Sequence, residues 1–151
     1  MDIWISKLRA VLTKKAFYAL KALIYLSKNE ANHPILIASI AEEERIPRKF
    51  LEAILLELRH GGFLASKKGV NGGYYLAKDP RQLSVAEVLQ VIDGTFDYLP
   101  CIAKEKAFRC EDCISTKVCS IRELFAKLQN ITVSTLASAS LSDLVVAEHS
   151  I

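Results

Sequence analysis

Cysteine is absent from this sequence outside residues 101–119, although that short stretch holds four. The chain also lacks any apolar run approaching the ~20 residues that a membrane-spanning helix requires, so we expect no membrane partner. Basic residues interrupt the apolar ones near the N-terminus, and no small-residue cleavage site follows, so we expect no signal peptide. These absences predict a cytoplasmic protein, in which thiols bind metals or sense redox change more often than they form structural disulfides.

Enzyme signatures are missing as well. There is no P-loop, no dinucleotide fingerprint and no local Ser, His and Asp set. A nucleophilic Cys113 beside Lys117 would require a pocket that the sequence does not show. The scarce histidines, His33, His60 and His149, fit solvated positions, although His60 is also placed to touch a phosphate. We therefore expect neither an enzyme nor a small-molecule substrate.

Length and charge narrow the class further. The 151 residues, 51% hydrophobic and 25% charged, predict one folded domain or one small domain with an appendage. Residues 13–81 hold twelve Lys and Arg against seven Asp and Glu, a net charge of +5. Residues 82–151 hold six against nine, a net charge of −3. This asymmetry predicts that only the first half contacts a polyanion.

A helix is predicted after Thr13, which can cap its N-terminus, through the segment KKAFYALKALIYLSK. A short helix from about Ser39 to Glu44 and a tight turn at Arg45 and Ile46 are predicted next. The buried stripe expected for the first helix, spaced at i, i+3, i+4 and i+7, consists of Ala16, Phe17, Leu20, Leu23, Ile24 and Ser27.

The following helix opens with Pro47, a residue favoured at the first helical position, and ends at Gly61 and Gly62. Two short helices with a tight turn are typical of a helix-turn-helix. Arg48 and Lys49 then stand where such helices contact bases and phosphates in the major groove, although such pairs are also common on solvated surfaces. The buried stripe expected here is Phe50, Leu51, Ile54, Leu55 and Leu58.

Two short apolar strands, 63–66 and 74–77, flank the segment KKGVNGG, whose Asn-Gly-Gly is expected to supply the positive φ angles of a hairpin turn. Lys67 and Lys68 lie near the tip of this hairpin, and Lys78 and Arg81 lie at its base. The hairpin is predicted to be a β-wing that contacts the DNA backbone or the minor groove. A basic hairpin with a purely structural role is the alternative.

The second half predicts helices with capping boxes at Ser84 and Glu87 and at Ser120 and Glu123, the former helix ending at Gly94. A last short helix begins at Ser140 or Ser142. The long helix after Ser120 needs cover from its own domain or from a second copy, because its apolar residues share one face. These residues are Ile121, Leu124, Phe125, Leu128, Ile131, Val133 and Leu136.

The four cysteines, Cys101, Cys110, Cys113 and Cys119, follow the pattern C-x8-C-x2-C-x5-C. Thiolates are soft ligands, so all four are candidate ligands of an iron–sulfur cluster. A zinc site is the alternative cofactor, although C-x2-C occurs once here and twice in a zinc ribbon. Reversible thiol oxidation and plain burial as small hydrophobes are the remaining interpretations.

Residues 12–94 resemble the Rrf2 family of bacterial winged helix-turn-helix transcription regulators. The resemblance is carried by three segments in this chain order: LTKKAFYALKALIYLS, then IPRKFLEAILLELRHGGFL with GVNGGYYLA, then LSVAEVLQVIDG. The resemblance implies a mainly α fold with a small β-wing, a recognition helix from Pro47, and a homodimer joined by crossing C-terminal helices. It also implies a [2Fe–2S] or [4Fe–4S] cluster held by three cysteines and a fourth ligand. Cys113 and Cys119 match the last two family cysteines, and Cys101 and Cys110 compete for the first place. The fourth ligand is then the spare cysteine or a residue of the partner subunit.

On this interpretation residues 1–94 form a winged helix-turn-helix domain, 95–119 a cysteine-containing sensor loop, and 120–151 a dimerisation helix and tail. The expected function is a repressor that binds double-stranded DNA as a homodimer on a two-fold operator, with a cluster or thiol switch as signal input. The alternative is a zinc-stabilised DNA-binding or protein-interaction module without a redox signal. The residues expected to contact DNA are Arg48, Lys49, Lys67, Lys68, Asn71, Gly72, Gly73 and Tyr74.

Overall fold

The computed structural model describes residues 12–29, 34–103 and 119–148. They are mainly helical with one small antiparallel hairpin, which confirms the predicted fold class. In chain order the elements are α1 (Lys14–Asn29), α2 (Ile37–Glu43), α3 (Arg48–His60), β1 (Leu64–Lys67), β2 (Gly73–Leu76), a short 3-10 helix (Pro80–Gln82), α4 (Val85–Asp93), α5 (Ser120–Ser138) and α6 (Leu141–Glu148).

Helix α1 lies at the centre of the fold, in contact with α2, α3, α4, α6 and β2. The Thr13 hydroxyl accepts a hydrogen bond from the Ala16 N–H at 3.0 Å, which confirms the predicted cap. The predicted buried stripe is wrong at Phe17, whose side chain is 50% exposed. Small side chains let neighbouring helices approach this central helix closely, and its fully buried residues are Ala16, Ala19, Ala22, Leu23 and Leu26.

The helix-turn-helix consists of α2, a tight turn and α3. Helix α2 begins at Ile37, two residues before the predicted start. Arg45 adopts the left-handed conformation, with φ of 52°, and Lys21 of α1 holds this turn through the Glu44 carbonyl oxygen at 2.7 Å and the Glu44 carboxylate at 3.0 Å. Pro47 precedes the first helical residue rather than being that residue, so α3 begins at Arg48.

Helix α3 buries four of the five residues predicted for its apolar stripe, namely Leu51, Ile54, Leu55 and Leu58. Phe50 is the exception and is partly exposed. It lies one residue before Leu51, and therefore about 100° around the helix. There its ring centre lies 5.8 Å from that of Tyr18 of α1, with the two ring planes nearly perpendicular. The helix ends at Gly61 and Gly62, as predicted, and Gly62 adopts φ of 78°.

The β1–β2 hairpin pairs Leu64 with Leu76 and Lys67 with Gly73. Both strands differ from the predicted ranges by about one residue. The expectation that Asn-Gly-Gly supplies the positive φ angles is confirmed at Gly73 and wrong at Asn71 and Gly72, because Gly69 adopts the other one. The longer turn needs left-handed backbone only where it leaves β1 and where it enters β2.

Neither predicted capping box of the second half forms at its predicted position. Ser84 precedes α4, but its hydroxyl donates to the Ala137 carbonyl oxygen at 3.4 Å rather than capping α4. This hydroxyl instead ties the start of α4 to the end of α5. At α5 the capping residue is Cys119 rather than Ser120, because the Cys119 Sγ accepts the Arg122 N–H at 3.5 Å.

A capping box does form at the start of α6, where the predicted alternative Ser140 is confirmed. The Ser140 hydroxyl accepts the Asp143 N–H at 3.2 Å, and the Asp143 carboxylate accepts the Ser140 N–H at 2.8 Å. These hydrogen bonds, with a contribution from burial in the opposite sense, hold the pKa of Asp143 below its ordinary value. Leu141 follows directly and is buried in the core, so the cap anchors α6 to the winged-helix part.

Helix α5 packs on α4, yet much of its apolar face remains uncovered within one copy of the chain. Its exposed large apolar residues are Ile121, Leu124, Leu128 and Ile131. In the part of the chain that the structure describes, no helix is long and apolar enough to cross a membrane.

Candidate nucleic-acid interface and cysteine segment

The first turn of α3 presents Arg48 and Lys49 to solvent, as the sequence predicts. The Arg48 Nε lies 3.2 Å from the Glu52 Oε1, an i,i+4 ion pair in which both side chains are more than half exposed. Exposed pairs of this kind contribute about 0–1 kcal/mol. Arg48 can therefore exchange Glu52 for a base or a phosphate at little cost.

Two contacts fix α3 relative to the rest of the fold. Lys15 of α1 forms an ion pair with Glu57 at 2.7 Å and also donates to the Ile92 carbonyl oxygen at the end of α4 at 3.5 Å. The Arg59 Nη1 donates to the Ser66 hydroxyl of β1 at 3.2 Å. The helix that presents Arg48 is thus tied to α1, to α4 and to the wing at once.

The wing carries Lys67 and Lys68 on its exposed surface, with Asn71 exposed in the turn. Val70 is 97% exposed at the same turn, more than any other large hydrophobic residue that the structure describes. The family resemblance implies that the wing at residues 70–74 contacts the minor groove, although Val70 is not among the individual residues predicted to contact DNA. Its place between Gly69 and Asn71 in a glycine-rich turn is the sequence signal that points to it.

The three remaining residues predicted to contact DNA from the wing build the hairpin. A Cβ on Gly72 would lie 2.3 Å from the Lys67 carbonyl oxygen, so the turn closes only with glycine there. Gly73 approaches the Ile35 backbone just as closely. Tyr74 exchanges two hydrogen bonds of 2.8 Å with Ile35 and packs on the core. Their contact with DNA stays a prediction.

A second exposed group adjoins the first turn of α3. The Lys14 ammonium lies 5.6 Å from the centre of the Tyr18 ring, and Tyr18 in turn meets Phe50. The sequence pattern indicated no role for Tyr18 and predicted that Phe50 is buried. The i,i+4 spacing of Lys14 and Tyr18 does not show that α3 will lie beside them. The N-terminal part of α1 therefore borders the predicted DNA-contacting surface.

Arg81, predicted as a basic residue at the base of the wing, is engaged by Asp79. The Arg81 Nη2 lies 2.7 Å from the Asp79 Oδ2, and the Arg81 backbone N–H also donates to this carboxylate. The side-chain hydrogen bond, followed by the backbone one, lowers the pKa of Asp79 to about 2. The pair leaves little net charge at this point of the wing.

The cysteine segment, defined as residues 101–119, is described only at its two ends. Cys110 and Cys113 lie outside the described residues. Cys101 and Cys119 are both half-buried thiols. Arg122 contacts both, because its Nε donates to the Cys101 carbonyl oxygen at 3.3 Å and its N–H to the Cys119 Sγ. One residue in the first turn of α5 thus holds both ends of the segment.

Among the described residues, no group of three or more His, Cys, Asp or Glu is placed to hold a metal ion. Two of the four predicted ligands are outside that set, so the ligand assignment stays a prediction. The donor chemistry fits a thiolate-bound group, because Cys101 and Cys119 end a segment that contains two further cysteines, and the Arg122 N–H already donates to the Cys119 Sγ.

A helix-turn-helix with a basic, exposed first turn, followed directly by a basic two-stranded wing, defines a winged helix-turn-helix DNA-binding protein. Comparison with known proteins gives the family. A family described as Rrf2, an iron-dependent transcriptional regulator, matches residues 12–147. The chain belongs to the Rrf2 family of transcriptional regulators, and the prediction that it is no enzyme is confirmed by that membership.

Individual relatives agree with this assignment. An rrf2-like HTH-type transcriptional regulator of Rhodobacter capsulatus is 37% identical over 140 residues, which cover 91% of this chain and 93% of the relative. The HTH-type transcriptional regulator IscR of Xenorhabdus nematophila is 32% identical over 134 residues, which cover 89% and 78% respectively. The solved structure of CymR, the global cysteine regulator of B. subtilis, superposes with a TM-score of 0.74 at 26% identity, covering 90% of this chain and 96% of that one.

Proposed function

We propose that this protein is a homodimeric repressor that binds a two-fold DNA operator and releases or engages it in response to the state of its cysteine segment. The observation that supports DNA reading most directly is the exposed position of Arg48 and Lys49 on a helix that Arg59 ties to the wing. In this proposal α3 enters the major groove while Lys67, Lys68 and the turn of the wing contact the adjacent minor groove. Such a regulator acts in the cytoplasm, where bacterial DNA lies.

The homodimer is supported by the uncovered face of α5. Leu124, 64% exposed, and Ile121, 62% exposed, lie one turn apart, and Leu128 and Ile131 continue the same apolar surface. A second copy of α5 is the occupant we propose, since two recognition helices about one DNA turn apart require a two-fold dimer. We assign residues 1–94 to DNA binding, 95–119 to sensing and 120–151 to a dimerisation helix and a C-terminal tail.

The signal input is supported by the four cysteines, by the iron dependence in the description of the family, and by the similarity to a cysteine regulator. Cys101, Cys110, Cys113 and Cys119 would hold an iron–sulfur cluster, which supplies reversible one-electron chemistry when bound. The Arg122 N–H, which donates to the Cys119 Sγ, would stabilise negative charge on that thiolate. Zinc, or reversible oxidation of the thiols themselves, is the second candidate for the same residues.

The proposed DNA binding is tested by fluorescence anisotropy on an operator selected from genomic fragments, titrated across a range of salt concentrations. We expect the logarithm of the binding constant to fall linearly with the logarithm of salt, by about 0.9 per phosphate contact. Lys67→Ala or Lys68→Ala should each reduce this slope by about two, because a dimer carries each lysine twice. Lys127→Ala, an exposed lysine on α5, serves as the control. Binding that is absent, or insensitive to salt, would overturn the proposal.

The proposed dimer is tested by sedimentation equilibrium of a Leu124→Glu and Leu128→Glu double variant. Burying two carboxylates at a helix interface is costly, so we expect monomers at concentrations at which the parent protein is dimeric. Lys127→Glu places one such charge on the same helix without removing an apolar side chain and should leave the dimer intact. An unchanged dimer in the double variant would place the interface elsewhere.

A further inference from the structure

Gln129 is the one buried polar side chain in the part of the chain that the structure describes, with 9% of its surface exposed. It lies on α5, whose neighbouring apolar residues Leu128 and Ile131 are exposed. A long polar side chain that is buried while nearby leucine and isoleucine side chains face solvent must be held by specific partners. These partners identify its role.

Residues 94–100 connect α4 to the cysteine segment, and we call them the linker. The oxygen and the nitrogen of the Gln129 amide are both hydrogen-bonded to it. The Oε1 accepts the Tyr98 N–H at 3.2 Å, and the Nε2 donates to the Asp97 Oδ1 at 3.1 Å. We call these two hydrogen bonds the linker latch. The amide nitrogen of Gln129 is paired with a carboxylate, and the amide oxygen is paired with a backbone N–H. Two such contacts fix the orientation of the linker on α5 as well as its distance from that helix.

Further contacts extend the docking of the linker along α5. The Tyr98 hydroxyl lies 3.3 Å from the Thr132 hydroxyl, and the Tyr98 ring lies 6.3 Å from that of Phe125. Arg122, nearer the start of α5, donates to the Cys101 carbonyl oxygen. Residues 97–101 are thus attached to α5 at several levels, and the latch is the buried part of this attachment.

The other end of the linker leads to the recognition helix. It leaves α4 at Asp93, whose carboxylate accepts a hydrogen bond from the Thr13 hydroxyl at 2.6 Å. The preceding carbonyl oxygen, of Ile92, accepts from Lys15, which pairs with Glu57 on α3. The linker therefore connects the cysteine segment covalently to the end of α4, and polar contacts at that end hold α3.

We propose that Gln129 is a positioning residue that couples the cysteine segment to the DNA-reading half through the linker latch. The inference rests on the proposed function and names the structural route of its regulation. The latch is a two-state element, because a buried amide that loses its partners must leave the buried site or stay unsatisfied. A change in residues 101–119 that pulls on the linker opens the latch, and DNA binding that repositions α4 does the same from the other end.

Coupling between two sites is reciprocal, which gives a test that requires no knowledge of the cofactor. The rates at which iodoacetamide alkylates Cys101 and Cys119 are measured by peptide mass spectrometry on full-length reduced protein, with and without saturating operator DNA. In the parent protein we expect the operator to change at least one of these rates by about fivefold or more. In Gln129→Leu, which removes both hydrogen bonds, this dependence on DNA should disappear while the operator is still bound.

Exchanging the donor and the acceptor between Gln129 and Asp97 shows whether their hydrogen bond, rather than the packing of the Gln129 side chain, carries the coupling. Gln129→Glu keeps the acceptor for the Tyr98 N–H but sets a carboxylate against that of Asp97, and should abolish the DNA-dependent rate change. Adding Asp97→Asn to this variant reverses the donor and the acceptor of the second hydrogen bond and should restore the change. Gln90→Leu, at an exposed glutamine on α4, is the matched control and should behave like the parent. Thermal unfolding of each variant confirms that it is folded.

The outcomes distinguish the latch from the proposed function. Operator binding with an unaltered rate change in Gln129→Leu would overturn the latch and leave the regulator intact. The latch is likewise overturned if the operator leaves both alkylation rates of the parent protein unchanged, or if the exchange of donor and acceptor fails to restore the change. A parent protein that binds no DNA selectively would instead overturn the proposed function.

Discussion

Gly73 of the wing and Ile35, which precedes α2, approach so closely that a Cβ on Gly73 would lie 2.3 Å from the Ile35 carbonyl oxygen. The next residue, Tyr74, exchanges both of its backbone hydrogen bonds with Ile35. The wing is therefore joined to the segment that precedes α2 by one antiparallel bridge and is not a free-standing hairpin. Gly73 also adopts φ of 149°, a conformation that side-chain-bearing residues rarely take.

Gly73→Ala is expected to lower the free energy of unfolding by about 2 kcal/mol or more, because the methyl group clashes with the backbone and the φ angle is strained. Gly69→Ala is the matched control, since Gly69 also has a positive φ angle but its Cβ would meet nothing within 4 Å. That control should cost about 1 kcal/mol. Urea denaturation measures both, and equal losses would contradict the role of the Ile35 contact.

Arg48→Ala is expected to weaken operator binding by about 1–3 kcal/mol if Arg48 contacts a base edge. The loss should then be larger on the operator than on unrelated DNA of the same length. Fluorescence anisotropy on both duplexes measures the difference. An equal loss on every sequence would show that Arg48 contacts a phosphate instead. Because its present partner Glu52 is exposed, the substitution should change the stability of the free protein by less than about 0.5 kcal/mol.

Cys113→Ala and Cys119→Ala are each expected to abolish the cofactor while leaving a folded dimer. The measurement is an absorption spectrum with iron, sulfide and zinc analysis on protein purified without oxygen. Broad visible bands with iron and sulfide indicate a cluster, and colourless protein with zinc indicates a zinc site. Full metal content in either variant would remove that cysteine from the ligand set.

The same measurement on Cys101→Ala and Cys110→Ala decides which of the two joins Cys113 and Cys119 as the third ligand. Loss of metal in only one variant identifies the third ligand. Loss in both identifies all four cysteines as ligands. Gel filtration of every variant provides the control for folding and assembly.

Ser140→Ala is expected to raise the pKa of Asp143 toward its ordinary value, because the Ser140 hydroxyl makes the largest contribution to lowering it. Since the carboxyl pKa is lower in the folded state, its contribution to stability is complete above the unfolded-state pKa and is lost as the pH falls through the folded-state value. NMR titration of the Asp143 carboxyl carbon measures the shift. Ser138→Ala, whose hydroxyl contacts the Thr135 carbonyl oxygen instead, should leave this pKa unchanged.

Element types were predictable from the sequence because their signals are local. Thr13 caps α1, Gly61 and Gly62 end α3, and the glycine-rich turn closes the wing, all within a few residues of chain. Burial was less predictable. Phe17 and Phe50 fit an apolar stripe by spacing, but tertiary contacts on several sides of α1 favour alanine at the closest approaches and leave both aromatic rings at the surface.

The capping box at Ser84 was predicted wrongly because a distant segment supplied a competing hydrogen bond. Ser84 has the right spacing to Glu87, yet the end of α5 offers its hydroxyl a carbonyl oxygen that no local pattern reveals. The linker latch was invisible for the same reason, since Asp97 and Gln129 are separated by the whole cysteine segment. The exposure of the basic residues on α3 and on the wing, in contrast, was predicted correctly from the position of each residue within its own helix or strand.

The cap of α5 has a consequence of its own. The atom that accepts the Arg122 N–H is a sulfur, the Sγ of Cys119, where most helices use an oxygen. A metal bond or an oxidation at this sulfur changes the acceptor that begins the helix, so the Arg122 amide senses that chemistry directly. In ¹⁵N-labelled protein, the Arg122 amide proton and nitrogen resonances therefore report the chemical state of one thiol in solution, without DNA and without a dye.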